Sequence, residues 1–157
     1  MRFNVATTFT RAAEEALIDV ESSIHVGARG PTNDSGVFNH TRDVGYGLID
    51  GTELFNAGLR NTAKNIVESL KGRSVYLCFD MDFFDPSCAP GVCTPTWGGA
   101  TSREGLDFLQ NLTGLNLVGA DINTVSPPHD ISGMTAFLAA TVGLEILSVI
   151  CHSKGLV

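Results

Sequence analysis

Basic residues are scarce in this chain: ten Lys and Arg stand against seventeen Asp and Glu in 157 residues, a net charge of −7. Nucleic acids and anionic membrane surfaces are held by basic patches, so this balance argues against either as a partner. Cysteine is also sparse. Cys78, Cys88, Cys93 and Cys151 form no CxxC and are spread over an apolar run, a loop and a helix end. That spacing argues against a disulfide framework and for reduced thiols in a cytoplasmic setting. The start, Met1-Arg2-Phe3-Asn4-Val5, lacks the basic-then-apolar order of a signal peptide. The most apolar stretch, residues 134–150, is short for a membrane span and is interrupted by Glu145, so it reads as a buried helix. There is no repeat, no low-complexity tract and no long linker. The Gly-, Asn- and Asp-rich piece over 27–45 reads as a surface loop.

What is present suits one globular domain, with 43% hydrophobic and 17% charged residues. Residues 8–17 predict a short helix, 23–27 a strand and 45–49 a weaker strand. Phe55, Leu59, Ala63, Ile66 and Leu70 recur at helical spacing, which predicts a helix over 52–71 with that stripe packed on a sheet. Residues 74–79 are a continuous apolar run, expected of a strand buried on both faces. Thr101 and Glu104 have the spacing of a capping box, opening a helix with Leu106, Leu109 and Leu112 on one side. Residues 115–120 predict a further strand ending at Asp121. Alternating strands and helices imply an α/β fold, a parallel sheet with helices on both faces. Ligands of such sheets gather at the carboxyl ends of the strands.

At one such end the chain reads Cys78-Phe79-Asp80-Met81-Asp82-Phe83-Phe84-Asp85-Pro86. Carboxylates at i and i+2 repel each other and resist desolvation, so something positive is expected between them. Hard oxygen ligands suit Mg, Mn or Ca. Asp85, before proline, is expected to organise a turn. Of the histidines, His25 falls in a predicted strand and is expected to be packed, His40 to be solvated in a loop, and His152 to follow the last helix. His129, in a strand-end loop, is the one candidate for the rim of a site.

The segment from Phe79 to Leu106, FDMDFFDPSCAPGVCTPTWGGATSREGL, resembles the C-terminal signature of the ureohydrolases, the arginase/agmatinase family. VGADINTVSPPHD resembles that family's later G-x-D-x-x-E-V-x-P-P-x-D segment, and the likeness extends over nearly the whole chain. It implies an arginase-like three-layer fold and a binuclear Mn2+ site, with Ni2+ an alternative. It further implies hydrolysis of a guanidino small molecule to urea and an amine, and a homo-oligomer in the intact family. Asp80 and Asp82 are, on this resemblance, metal ligands. The upstream G-G-D-H and D-A-H-x-D motifs that carry the other ligands have no counterpart here, so residues 1–157 are expected to form one partial domain, the C-terminal half. The expected consequence is two strand pairs with exposed inner edges, which either close up or receive a strand from another chain.

Two positions depart from the family pattern. The histidine assigned to proton shuttling is replaced by Val5, which transfers no proton, so no catalytic residue is assigned. The glutamate that pairs with the guanidinium aligns with Thr124, which can hydrogen-bond that group without an ion pair. Thr124 and His129 are therefore the candidate substrate contacts, and hydrolysis by this chain alone is not expected to match the intact family. A second reading is a non-catalytic partner of a full-length subunit. A third, an Mg-dependent aspartyl phosphatase with Asp80 as nucleophile and Asp82 as acid/base, ranks last, because Phe84 stands where that class has Thr or Val.

Overall fold

The computed structural model describes residues 3–31 and 36–156, the side chains of Val5 and Val37 excepted. The chain divides into two units, Met1–Asp50 and Gly51–Val157.

In the first unit, helix α1 (Thr8–Glu14) stops before the expected residue 17. Ala16 turns left-handed at φ 51°, and the Leu17 amide closes back on the Ala12 carbonyl. Strand β1 (Ile24–Ala28) and strand β2 (Gly47–Asp50) pair in parallel. A parallel pair needs a crossover, and helix α2 (Val37–Val44) lies in it, within the stretch expected to be loop throughout. Gly45 ends α2 at φ 108°, a conformation that costs glycine least. His40 therefore sits on a helix, exposed. His25 is packed as expected: its ring stands edge-on to Tyr46 at 4.9 Å and to Phe9 at 5.5 Å. Tyr46 donates its hydroxyl proton to the Phe9 carbonyl at 2.7 Å. Burial lowers the His25 pKa.

In the second unit the single helix expected over 52–71 is two, α3 (Gly51–Ala57) and α4 (Leu59–Ser69). Gly58 separates them at φ 82°, ψ 131°, outside the helical region. The break rotates the first turn, so Leu54 is fully buried and Phe55 faces water. From Leu59 onward the stripe holds: Leu59, Ala63 and Ile66 are buried, while Arg60, Lys64 and Glu68 are exposed.

Strand β3 (Ser74–Asp80), helix α5 (Ser102–Gln110) and strand β4 (Asn116–Asn123) form a parallel β-α-β unit. The capping box is present in full: the Thr101 hydroxyl accepts from the Glu104 amide, and the Glu104 carboxylate accepts from the Thr101 amide. Phe79 and Ile122 are register partners on one sheet face. Phe79 meets Phe83 edge-on and Phe84 at a tilt, Phe83 meets Phe108 of α5, and Phe84 is 1% exposed. Gly105 of α5 is needed there, since a Cβ would lie 2.1 Å from a Phe84 ring carbon.

The opposite sheet face differs from the expectation of two-sided burial. Ser74, Tyr76 and Cys78 of β3 are exposed, as is Val118 of β4. An apolar run marks a strand that has something to bury, but it does not say what covers each face.

Helix α6 (Met134–Ser153) includes His152, in its last turn rather than beyond it. It buries Thr135, Val142, Ile146 and Val149. The other side, with Met134, Phe137, Leu144 and Leu147, is exposed, so the expected buried helix is buried on one side. By length and composition α6 could also cross a membrane.

β1–β2 and β3–β4 are separate two-stranded sheets, the division expected of this sequence.

Candidate functional site

Asp80 is the last residue of β3, and Asp82 lies in the 3-10 turn Met81–Phe83 that follows. Asp80 caps that turn: its Oδ1 accepts the Asp82 amide proton at 3.2 Å. The pair thus sits at the carboxyl end of a parallel strand, held by the capped 3-10 turn.

Each carboxylate is oriented by a threonine. Thr94 donates its hydroxyl proton to Asp82 Oδ2 at 2.8 Å. Thr124, immediately after β4, donates to Asp80 Oδ1. Thr124 has φ 66°, an uncommon conformation for a β-branched residue. Backbone strain of this kind persists where the surroundings over-determine it. Here the Cys93 amide bonds the Thr124 carbonyl at 2.9 Å, and Val92 bridges Val125.

The loop carrying Thr94 is anchored at several points. Asp85 organises a turn, as expected, and reaches further: Oδ1 accepts from the Ser87 amide at 3.0 Å, and Oδ2 accepts from Gly98 at 2.9 Å and Gly99 at 3.2 Å. The hydrogen bonds from Ser87, then those from Gly98 and Gly99, hold the Asp85 carboxyl down at about 2. The Gly91 amide donates to Thr135 Oγ1 at 2.9 Å, at the start of α6. Asp130 accepts from the Thr135 and Ala136 amides, both at 2.9 Å. Gly91 lies so close to Asp130 that a Cβ would come within 2.5 Å of it.

Burial pushes the Asp80 carboxyl above its usual range; the Thr124 hydroxyl opposes this and the neighbouring Asp82 charge adds to it. A half-buried carboxylate with a second one beside it is a place where a cation would lower the energy. Two hard oxygen donors suit a hard divalent ion. Among the described residues, no group of three or more His, Cys, Asp or Glu could hold a metal. The donor chemistry of Asp80 and Asp82 fits a hard divalent ion, for which two carboxylates would supply part of a coordination sphere.

The other sequence candidates fall elsewhere. Asp121 sits two residues inside β4 and pairs in register with Cys78. It accepts from the Tyr76 hydroxyl at 2.8 Å and from Asn123 at 2.8 Å, and meets Cys78 Sγ at 3.5 Å. Burial, then the Asp121 charge, pushes the Cys78 thiol up to about 11, so it is not a reactive thiolate. His129 is exposed and its Nδ1 meets Ser126 Oγ at 2.8 Å. Val5 lies in the 3-10 turn Val5–Thr7, but its side chain is outside what is described. Thr94 was not singled out as a positioning residue from the sequence; its signal was its fixed place in the Pro-Gly loop.

The profile of the arginase family matches residues 1–148. The chain belongs to the arginase family. It is 36% identical to a guanidinobutyrase of Pseudomonas aeruginosa over 144 residues, covering 92% of this chain and 45% of that protein. It is also 36% identical to an agmatinase of Photorhabdus laumondii, covering 98% and 47%. Among solved structures, the proclavaminate amidino hydrolase of Streptomyces clavuligerus superimposes with a TM-score of 0.89 at 36% identity, covering 97% of this chain and 50% of that one. The fold is arginase-like, and the chain spans about half the length of the relatives it matches.

Proposed function

We propose that this chain is the C-terminal half of a guanidino-compound hydrolase domain and contributes Asp80 and Asp82 as two ligands of its divalent metal site. The observation that carries the reading is the carboxylate pair at the end of β3, each member fixed by a threonine hydroxyl, in an arginase-family chain. Mn2+ is the metal of this reading, with Ni2+ the alternative. When bound, such ions supply Lewis acidity and lower the pKa of water. The chain's own part is to hold charge in place: Thr94 aims Asp82, Thr124 aims Asp80, and the Asp85-anchored loop keeps Thr94 in position.

Thr124 has its hydroxyl proton on Asp80, which leaves its oxygen lone pairs, and no charge, to meet a guanidinium. The substrate of the completed domain is therefore proposed to be a guanidino compound held mainly by groups other than Thr124. His129, engaged with Ser126, is a rim residue at most. The setting proposed is cytoplasmic, in keeping with four free thiols, and the intact assembly a homo-oligomer.

Two carboxylates leave an ion mostly hydrated, and a nucleophile misplaced by ~1 Å can cost about 10²-fold in rate. The chain alone should accordingly bind Mn2+ weakly and release no urea at the rate of a complete enzyme. Calorimetric titration with Mn2+ and urea release from guanidinobutyrate, agmatine, arginine and guanidine test this. Asp80→Ala should abolish the weak binding. Binding undiminished in Asp80→Ala would sink the metal assignment, and robust urea release by the chain alone would sink the view that it holds half a site.

A further inference from the structure

Among the described residues the buried polar side chains are Thr62 and Thr135, and Thr135, the second residue of α6, is fully buried. A hydroxyl is costly to bury unless it is hydrogen-bonded, and valine would fill the same volume without that cost. Helix capping does not account for it, because the Asp130 carboxylate already accepts the Thr135 and Ala136 amides. The hydroxyl holds a loop instead. Its oxygen accepts the Gly91 amide proton at 2.9 Å. The same hydroxyl bonds Asp130; burial raises the Asp130 carboxyl, and the Ala136 and Thr135 bonds more than offset this. Gly91 in turn meets the segment after β4. Its carbonyl accepts the Ser126 amide at 2.8 Å, and two residues on the Cys93 amide donates to the Thr124 carbonyl at 2.9 Å, around the antiparallel bridge of Val92 with Val125. Thr124 belongs to one side of this short ladder and bonds Asp80; Thr94 follows the other side and bonds Asp82.

We propose that Thr135 is a positioning residue for the carboxylate pair: by fixing Gly91 it sets the ladder of residues 91–93 on 124–126, from which Thr124 and Thr94 reach Asp80 and Asp82. The proposal rests on the reading of those aspartates as metal ligands and adds to it a residue bonded to neither. Asp85 does not replace it. Asp85 anchors the loop at Ser87 and at Gly98 and Gly99, on either side, whereas Gly91 is where the loop meets both α6 and the segment after β4. Thr124 raises the demand on this ladder, since its φ of 66° persists only where the surroundings hold it. Gly91 fits the same purpose. A Cβ there would lie 2.5 Å from Asp130 Cβ, so Gly91, Asp130 and Thr135 pack together without room for a larger residue. Residues that orient metal ligands typically carry about 10- to 100-fold in metal affinity. Thr135 acts one step further out, through the backbone, so a smaller factor is expected of it.

The test substitutes Thr135 in the full 157-residue chain. Thr135→Val keeps the volume and deletes the acceptor, Thr135→Ser keeps the acceptor, and Thr62→Val removes the other buried hydroxyl, on α4. Hydrogen exchange reads the Cys93 and Ser126 amides. Carboxyl 13C resonances of Asp80 and Asp82 at neutral pH read the pair in the metal-free chain, and a paramagnetic-resonance titration reads Mn2+ affinity. Thr135→Val should speed exchange of both amides about tenfold or more while the Phe79 and Leu117 amides hold their rates. It should also move the two carboxyl resonances and weaken Mn2+ binding by about three- to tenfold. Thr135→Ser should return all three readouts toward wild type, and Thr62→Val should change none of them. Circular dichroism checks the fold of each variant. Asp130→Asn, which deprives the Thr135 hydroxyl of its charged partner, repeats the test with a milder change and the same expected direction. Unchanged exchange at Cys93 and Ser126 in Thr135→Val would overturn the proposal. So would faster exchange with unmoved carboxyl resonances, which would leave Thr135 a structural role alone, or an equal loss of Mn2+ affinity in Thr62→Val. Mn2+ binding that Asp80→Ala does not diminish would count against the proposed function, while resonances moved by Thr135→Val would still assign the placing of the carboxylates to Thr135.

Discussion

Thr124 joins local conformation to the chemistry of the candidate site. Its φ of 66° is costly for a β-branched side chain, and its hydroxyl bonds Asp80. The two effects can be separated by substitution. Thr124→Val keeps the strain and removes the bond to a carboxylate, and should cost about 1.5–3 kcal/mol of folding stability. Thr124→Gly removes the bond and also the strain, which is of order 1–3 kcal/mol, so it should be close to neutral. Urea denaturation of both variants checks this; equal losses would show that the conformation stores no strain. Asp85 yields a test in pH. Its folded carboxyl is held at about 2, below its ordinary value, so its stabilising effect is present above the ordinary carboxylate range. It is lost as pH falls through about 2. The Gly98 and Gly99 amide resonances should therefore titrate with a midpoint near 2; a midpoint near ~3.9, the unperturbed aspartate value, would show that these bonds are not made. The sequence allowed Asp85 to be read as a turn-former because an aspartate before proline acts locally. It could not show that Asp85 reaches Gly98 and Gly99, because that contact closes a loop. Thr94 and Asp82 were illegible as a pair for the same reason.

Among the elements, those read correctly are those whose signals lie within a few residues. The capping box at Thr101 and Glu104 is one, and the stripe of α4 is another. The misread ones depend on a single glycine or on distant cover. The helix expected over 52–71 contains Gly58, which separates α3 from α4, and Phe55 in α3 is exposed. Helix α2 was hidden by the polar, glycine-rich residues around it, and only the parallel pairing of β1 with β2 demands a crossover there. The apolar run of β3 was read as doubly buried, because hydrophobicity records what a strand is built to meet rather than what lies against it. The prediction at this scale concerns α4. Ile66 is 8% exposed, in line with Leu59 and Ala63. Ile66→Ala should cost about 2–5 kcal/mol in a denaturant titration. A loss below about 1 kcal/mol would show that this face is not core.

For the molecule as a whole, the arginase-like fold was legible because the signature around Asp80 and Asp82 is long, and because parallel strands put such groups at one sheet end. The division into two strand pairs followed from the motifs that have no counterpart in this sequence. What covers the pairs was beyond reach, since exposed apolar surface can be read only from a structure. That surface sets the last prediction. Phe137 and Leu147 make α6 apolar on both sides, but their own burial is slight, at 74% and 57% exposed. Removing them should therefore change the behaviour of the chain in solution and not its fold. Phe137→Lys with Leu147→Lys should shift unfolding stability by no more than about 0.5 kcal/mol per site, the usual effect of surface substitutions. The same double variant should scatter less light at high concentration and bind less of a hydrophobic dye, because large apolar patches drive association. A loss of about 3 kcal/mol or more would instead place these side chains in a packed core, and the outer side of α6 would cease to be a surface at all.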